Sequence, residues 1–181
     1  MTHTIRTATA DDAGPLADLA AVTFPLACPP SSSAEDIAAH LANTLSESHF
    51  RGYLADPDIT IMVIDADGDL RGYSLLVNRP ATDPDVAGAL TIRPSVELSK
   101  CYVHPEHHGL GAAAELMHAS LQAAASAGGA GIWLGVNSQN ARAIRFYGKS
   151  GFRTVGSKSF RLGSTVEHDF VMERAVPSSP A

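Results

Sequence analysis

Between Val103 and Phe152 the chain reads VHPEHHGLGAAAELMHASLQAAASAGGAGIWLGVNSQNARAIRFYGKSGF, and the residue types and spacings able to do chemistry concentrate there. His108-Gly109-Leu110-Gly111-Ala112-Ala113 lies where a strand should pass into a helix. Small residues let an anion approach the backbone, and glycine tolerates the turn dihedrals. The first N–H groups of a helix lack internal partners and carry partial positive charge, so a pyrophosphate there needs no dedicated cation. Downstream, Asn140-x-x-Ala143-x-x-x-Tyr147 places three residues on one helix face. Asn140 can cap that helix or bond an amide of a ligand. Tyr147 can protonate a leaving thiolate, since a phenol of pKa about 10 is a useful acid toward a thiol of about 8.5. Together the two segments suit a phosphate-bearing thioester and the release of its thiolate.

Each segment alone also has a plain structural reading. The Gly-rich hexapeptide would serve as a strand-to-helix turn, Asn140 as a cap and Tyr147 as a core aromatic. Other phosphate motifs fit poorly: no Gly-Lys-[Ser/Thr] marks a P-loop, and the spacing is not Gly-x-Gly-x-x-Gly. His104, His107 and His108 lack a carboxylate set to complete a metal site, so no metal is expected.

The elements that must position these residues belong to a chain of 181 residues, most simply one domain, with 45% hydrophobic residues. A net charge of −6 argues against a nucleic-acid partner and suits a cationic substrate, as it does many acidic proteins. Two cysteines make no disulfide framework; Cys101 reads as core and Cys28 as a loop residue. Neither a leader segment nor a membrane span is seen, so a cytoplasmic protein without a membrane partner is expected.

The pattern predicts a strand at 4–8, then a helix capped by Asp11 or Asp12 with Leu16, Leu19, Ala20 and Thr23 inward, broken by Pro25, Pro29 and Pro30. Ser33-x-x-Asp36 caps a second helix, and a third covers about 48–54. Strands at 59–64 and 73–77 flank a hairpin loop at 65–69, and 79–95 reads as a loop. A strand at 97–103, an Ala-rich helix at 111–127 stopped by Gly128-Gly129, a strand at 132–136 and a helix at 140–150 carry the chemistry. Strands at 152–155 and about 166–172 follow, and 177–181 should fray. The alternation indicates a single α/β domain with a sheet of mixed direction.

Val103-x-Pro105-x-x-His108-Gly109-x-Gly111-x-Ala113, followed by Asn140-x-x-Ala143-x-x-Phe146-Tyr147-x-x-x-Gly151-Phe152, resembles the GCN5-related N-acetyltransferase superfamily. The first segment is similar to its Arg/Gln-x-x-Gly-x-Gly/Ala motif, with His108 taken as standing for the Arg or Gln; the second is similar to its Asn-x-x-Ala-x-x-x-Tyr helix. The resemblance implies a GNAT-like domain over 1–175 with a tail at 176–181. Its mixed, mostly antiparallel seven-stranded sheet would splay between strands 4 and 5, with helices on both faces. It implies acetyl-CoA as cosubstrate, its pantetheine arm on the backbone near Cys101 and Val103 and its diphosphate on the N–H groups from Gly109 through Leu110, Gly111, Ala112 and Ala113 to Ala114. His108 and Asn140 would border it, and Tyr147 would be the general acid.

A finer likeness, to bacterial spermidine/spermine N-acetyltransferases, rests on Thr23-Phe24, Leu54-Ala55-Asp56-Pro57-Asp58, Val96 to Val103, Ile132 to Val136 and Phe160-x-Leu162-Gly163…Asp169-x-x-Met172. It implies a small-molecule primary amine as acceptor, a polyamine first. An alkylammonium near pKa 10 must lose a proton before it attacks. Glu97 is the candidate base, directly or through water; its plain alternative is a surface carboxylate facing Lys100, and the family's frequent second acid is Ser99 here. Glu35, Asp36, Glu167 and Asp169 are candidates for a distal ammonium. Other acceptors (amino acids, aminoglycosides, toxins, peptide N-termini), a non-catalytic CoA-binding domain, and a homodimer through a C-terminal edge strand also fit the resemblance.

Overall fold

The computed structural model describes residues 2–178, so most of the expected tail at 177–181 lies outside the described residues. Its strands are β1 (Thr4–Thr7), β2 (Ile59–Ala66), β3 (Asp69–Val77), β4 (Ser95–Val103), β5 (Gly131–Asn137), β6 (Arg153–Leu162) and β7 (Thr165–Ala175). Its helices are α1 (Ala13–Ala27), α2 (Ala34–Thr44), α3 (Glu47–Ala55), α4 (Pro84–Ala89), α5 (Ala112–Ser126) and α6 (Ala141–Lys149). Among the described residues the strands form one seven-stranded sheet in the order β1-β2-β3-β4-β5-β7-β6. Among the described residues only β4 and β5 run parallel. The expected mixed sheet with helices on both faces is what forms.

Local chemistry sets most boundaries. Asp67 and Gly68 both take positive φ, 56° and 94°, which tightens the β2–β3 turn to two residues and lengthens both strands beyond the expected loop at 65–69. Ser33 accepts a hydrogen bond from the Asp36 N–H at 3.0 Å and starts α2. α5 buries Ala112, Leu116, Met117, Ser120, Leu121 and Ala124, a stripe at helical spacing. It ends as expected at Gly128 (φ 88°), where the Gly129 N–H reaches back to the Ala124 carbonyl at 3.0 Å.

Four expectations need correction. Asp12 stands at the N-cap of α1 but makes no side-chain cap bond to it; its carboxylate accepts from Arg6 at 2.8 Å and from the Thr9 N–H at 2.7 Å, tying β1 to the turn. Pro25 does not break α1, because the stripe Leu16, Leu19, Ala20, Thr23 and Phe24 is already buried and carries the helix on to Ala27. Residues 79–95 are not all loop: Asp83 accepts from the Asp85 N–H at 2.9 Å, Pro84 takes the first helical position, and α4 forms. β6 runs to Leu162 rather than ending at 155, paired along its length with β7.

α1 packs on β3 and β4 with α3 against it, around Leu16, Phe50, Tyr73 and Leu75. α5 covers the opposite face, where Leu98, Met117, Leu121, Ile132 and Leu134 form a second cluster that α6 joins through Ile144 and Phe146. The site lies between these two layers, where the sheet opens.

Candidate active site

The opening is written into the pairing of β4 and β5. They bond only at Ser95↔Gly131, Val96↔Ile132 and Glu97↔Trp133. Beyond Glu97 the strands part, leaving the β4 edge from Leu98 to Val103 without a strand partner on that side. A bulge sharpens the parting: Leu75 faces Lys100 and Leu76 faces Leu98, so Ser99 is an extra residue on β4. Val96 and Leu98 point toward α5. Glu97, between them, points to the other face, and the bulge returns Lys100 to that same face. A cleft of about 500 Å³ fills the opening, a size suited to a small-molecule site.

At one end of the cleft stands the cradle. Gly109 and Gly111 both have φ 81°, a conformation that favours glycine, and open space lies where a Cβ would project from either. Gly111 is the N-cap of α5, and its carbonyl accepts from the Ala114 and Glu115 N–H groups at 3.0 and 3.1 Å. The N–H groups of Gly109, Leu110, Gly111, Ala112 and Ala113 make no hydrogen bond among the described residues. The free run thus ends at Ala113; Ala114 is already engaged. Five successive donors at a helix N-terminus fit a diphosphate without a cation.

His108 has another task. Its Nε2 lies 2.8 Å from the Val103 carbonyl and its Nδ1 2.9 Å from Arg142 Nη2. The carbonyl only accepts, so Nε2 donates to it and Nδ1 accepts a hydrogen bond from the Arg142 guanidinium. His108 thereby ties the end of β4 to the first turn of α6. Counting three residues back from Gly109 puts the Arg/Gln position of the motif on Glu106, an exposed carboxylate, and not on His108, which the resemblance had suggested.

α6 supplies the next wall. Asn140 caps it, its side-chain oxygen accepting from the Ala143 N–H at 3.1 Å, so capping is one role it does fill. Tyr147, packed edge-on to Phe152 at 5.9 Å, lines the cleft with Cys101 and Ala143. Burial pushes the Tyr147 phenol well above its ordinary value, with Cys101 and Tyr102 adding to the shift, and it pushes the Cys101 thiol up to about 12. At neutral pH both keep their protons, so Cys101 is a packing residue and Tyr147 presents a protonated hydroxyl.

The far end is charged. Glu97, Lys100, Lys158 and Asp169 all line the cleft, and no ion pair forms among them in the described residues. Burial raises the Glu97 pKa, with Lys158 and Lys100 opposing. Burial lowers that of Lys100, with Glu97 opposing. The Lys100 ammonium stands 5.8 Å from the Tyr53 ring centre and bonds the Ser99 hydroxyl at 3.1 Å. Glu97 is therefore no surface carboxylate.

Of the four acids expected to border an acceptor, Asp169 lines the cleft and Glu167, buried beside it, accepts from Asn137 at 3.4 Å. Asp36 instead sits against the β6–β7 turn, where a Cβ on Gly163 would meet its carboxylate, and Glu35 is an exposed neighbour on α2. Neither lines the cleft, because α2 turns its first residues toward that turn. Sequence reasoning missed Lys158, Gly135 and Arg142. Only Gly135 left a signal, a lone glycine inside a strand pattern, which marks close approach by another group.

A family model for the acetyltransferase (GNAT) family matches residues 24–152. An uncharacterized N-acetyltransferase of Mycobacterium tuberculosis is 46% identical over 163 residues, covering 90% of this chain and 97% of that protein. The chain belongs to the GNAT family of acetyltransferases. Solved folds agree with this GNAT architecture. The PaiA N-acetyltransferase of Thermoplasma acidophilum, in complex with coenzyme A, superposes with a TM-score of 0.76 at 22% identity, over 97% of this chain and 99% of that one. The yncA acetyltransferase of Salmonella typhimurium, solved with its cofactor acetyl-CoA, gives 0.64 at 23% identity over 100% and 98%.

Proposed function

We propose that this GNAT protein transfers an acetyl group from acetyl-CoA to a primary amine of a small molecule by direct attack in a ternary complex. The observation that carries the reading is one cleft with five free N–H donors at one end, a protonated phenol on its wall and a half-buried carboxylate where the sheet parts. The diphosphate would lie on Gly109 to Ala113, with the pantetheine arm along the unpaired β4 edge at Cys101. The Val103 carbonyl already accepts from His108, which leaves the Cys101 backbone as the freer partner for the arm.

The amine nitrogen attacks the thioester carbonyl carbon, forming the C–N bond, and the C–S bond breaks. The departing thiolate takes the Tyr147 proton, and the nitrogen gives up its proton to Glu97, directly or through a water. A carboxylate whose pKa is raised by burial is a better base toward an ammonium than an exposed one. Acetamide and thiol leave, and Tyr147 and Glu97 exchange protons with solvent.

Among acceptors, a polyamine is supported by the resemblance and by three carboxylates, Glu97, Glu167 and Asp169, on one face. A second reading, an amino-acid-like acceptor whose carboxylate would meet a lysine, is favoured by Lys100 and Lys158 in the same cleft. The test is CoA release from acetyl-CoA across spermidine, spermine, amino acids, aminoglycosides and short peptides. Turnover with polyamines supports the first reading, turnover confined to amino acids the second. Tight acetyl-CoA binding without turnover of any amine contradicts both.

A further inference from the structure

Asp169 is the most unusual group in the cleft. It is 7% exposed, and its Oδ1 is fully buried without a hydrogen-bond partner. An ionised carboxylate in that setting is costly unless a donor meets it. No neighbour among the described residues does so. Asn137, its register partner on β5, gives its amide to Glu167. Lys158, its register partner on β6, forms no ion pair with it. The lysine instead lies across Gly135: a Cβ built there would meet the Lys158 Cε at 2.5 Å and the Asp169 Oδ2 at 3.4 Å. Gly135 is thus the floor of a slot, with a movable ammonium over it and an unserved carboxylate beside it.

The slot is set back from the reacting end. Glu97 pairs with Trp133 and Asp169 with Asn137, four residues further along β5, or about 13 Å of strand. A one-nitrogen acceptor delivered to Glu97 leaves Asp169 unserved; a chain with a second nitrogen serves both. The Lys158 side chain lies over Gly135 beside the Asp169 carboxylate, so in the free cleft it holds the position such a second cation would take.

We propose that Asp169 is the acceptor-specificity residue of this cleft, receiving a second cationic nitrogen of the amine substrate, and that Lys158 is the counter-charge this nitrogen displaces. The proposal rests on the amine-acetylation reading above and narrows it to acceptors with two or more ammonium groups.

The test compares kcat/KM for spermidine with that for n-octylamine, a chain of similar length with one nitrogen, by CoA release. Asp169→Asn keeps the shape and removes the charge, and should lower the spermidine-to-octylamine ratio about ten- to a hundredfold. Lys158→Met removes the competitor and should raise the same ratio. A slot that matters only for folding moves neither ratio. An unchanged ratio in Asp169→Asn overturns the proposal, as does a fall in Lys158→Met, the sign expected if the lysine holds a substrate carboxylate. Where Asp169→Asn fails to fold, the Lys158→Met ratio decides alone. Wild-type protein that turns over no amine removes the amine-acetylation reading, and this proposal with it; turnover with an unchanged ratio removes this proposal only.

Discussion

The two ends of the cleft are built from different materials. The cradle at Gly109 to Ala113 is backbone: five N–H donors held by two glycines at φ 81° and a helix start. The charged end is side chain: Glu97, Lys100, Lys158 and Asp169, brought in by β4, β6 and β7. A backbone site is fixed by local dihedrals, so a short motif encodes it, whatever side chains surround it. A side-chain site depends on which strands pair and in what register, so residues far apart in the chain encode it. The first kind suits a ligand that stays constant, the second a ligand that differs between relatives.

The largest effect should come from the wall between the ends. Tyr147→Phe removes the proposed proton donor and should lower kcat about 10²- to 10⁴-fold, with acetyl-CoA affinity retained, measured by CoA release beside calorimetry. At the charged end, Glu97→Gln should lower kcat about 10²-fold and abolish the acid limb of the rate profile. That limb should lie above the ordinary glutamate range in the wild type, because burial raises the Glu97 pKa and the base form exists only above it. At the cradle, Gly111→Ala meets no steric obstacle, so only the left-handed dihedral cost of about 1–2 kcal/mol operates. CoA affinity should fall about five- to thirtyfold while the amine KM holds; a loss of amine specificity would show that the two ends are not separable.

Smaller effects sharpen the contrast. Burial of Glu97 favours its protonated form in the folded state, so its ionisation opposes folding. That penalty is absent below the unfolded pKa and is fully present above the raised folded one. Glu97→Gln should therefore melt higher than wild type at pH 7, and the difference should close near pH 4, by calorimetry. Arg142→Ala unties His108 from α6 at an exposed site, and should weaken CoA binding only two- to fivefold at low salt and less at high salt.

The same division explains what the sequence made legible. The α5 stop at Gly128, the α6 cap at Asn140 and the Asp67-Gly68 turn are each a few residues of local chemistry. The bulge at Ser99 carries no local mark, because it is defined by which residues of β3 lie opposite. Glu173 is fully buried, against the usual preference of a glutamate for the surface; it accepts from the Thr91 N–H and hydroxyl, the Ile92 N–H at 3.3 Å and Arg153 at 3.2 Å, pinning the segment after α4 to β7. Its partners Thr91 and Ile92 lie some eighty residues earlier in the chain. Lys158 was hidden because Ser157-Lys158-Ser159 breaks the apolar alternation that would have extended β6 beyond 155.

Initial velocities measured over a grid of acetyl-CoA and amine concentrations test most directly whether one cleft holds both substrates at once. Direct attack in a ternary complex predicts intersecting lines in double-reciprocal plots. Parallel lines would mean that the acetyl group first moves to the protein, and would contradict Tyr147 as the acid and Glu97 as the base of a direct transfer.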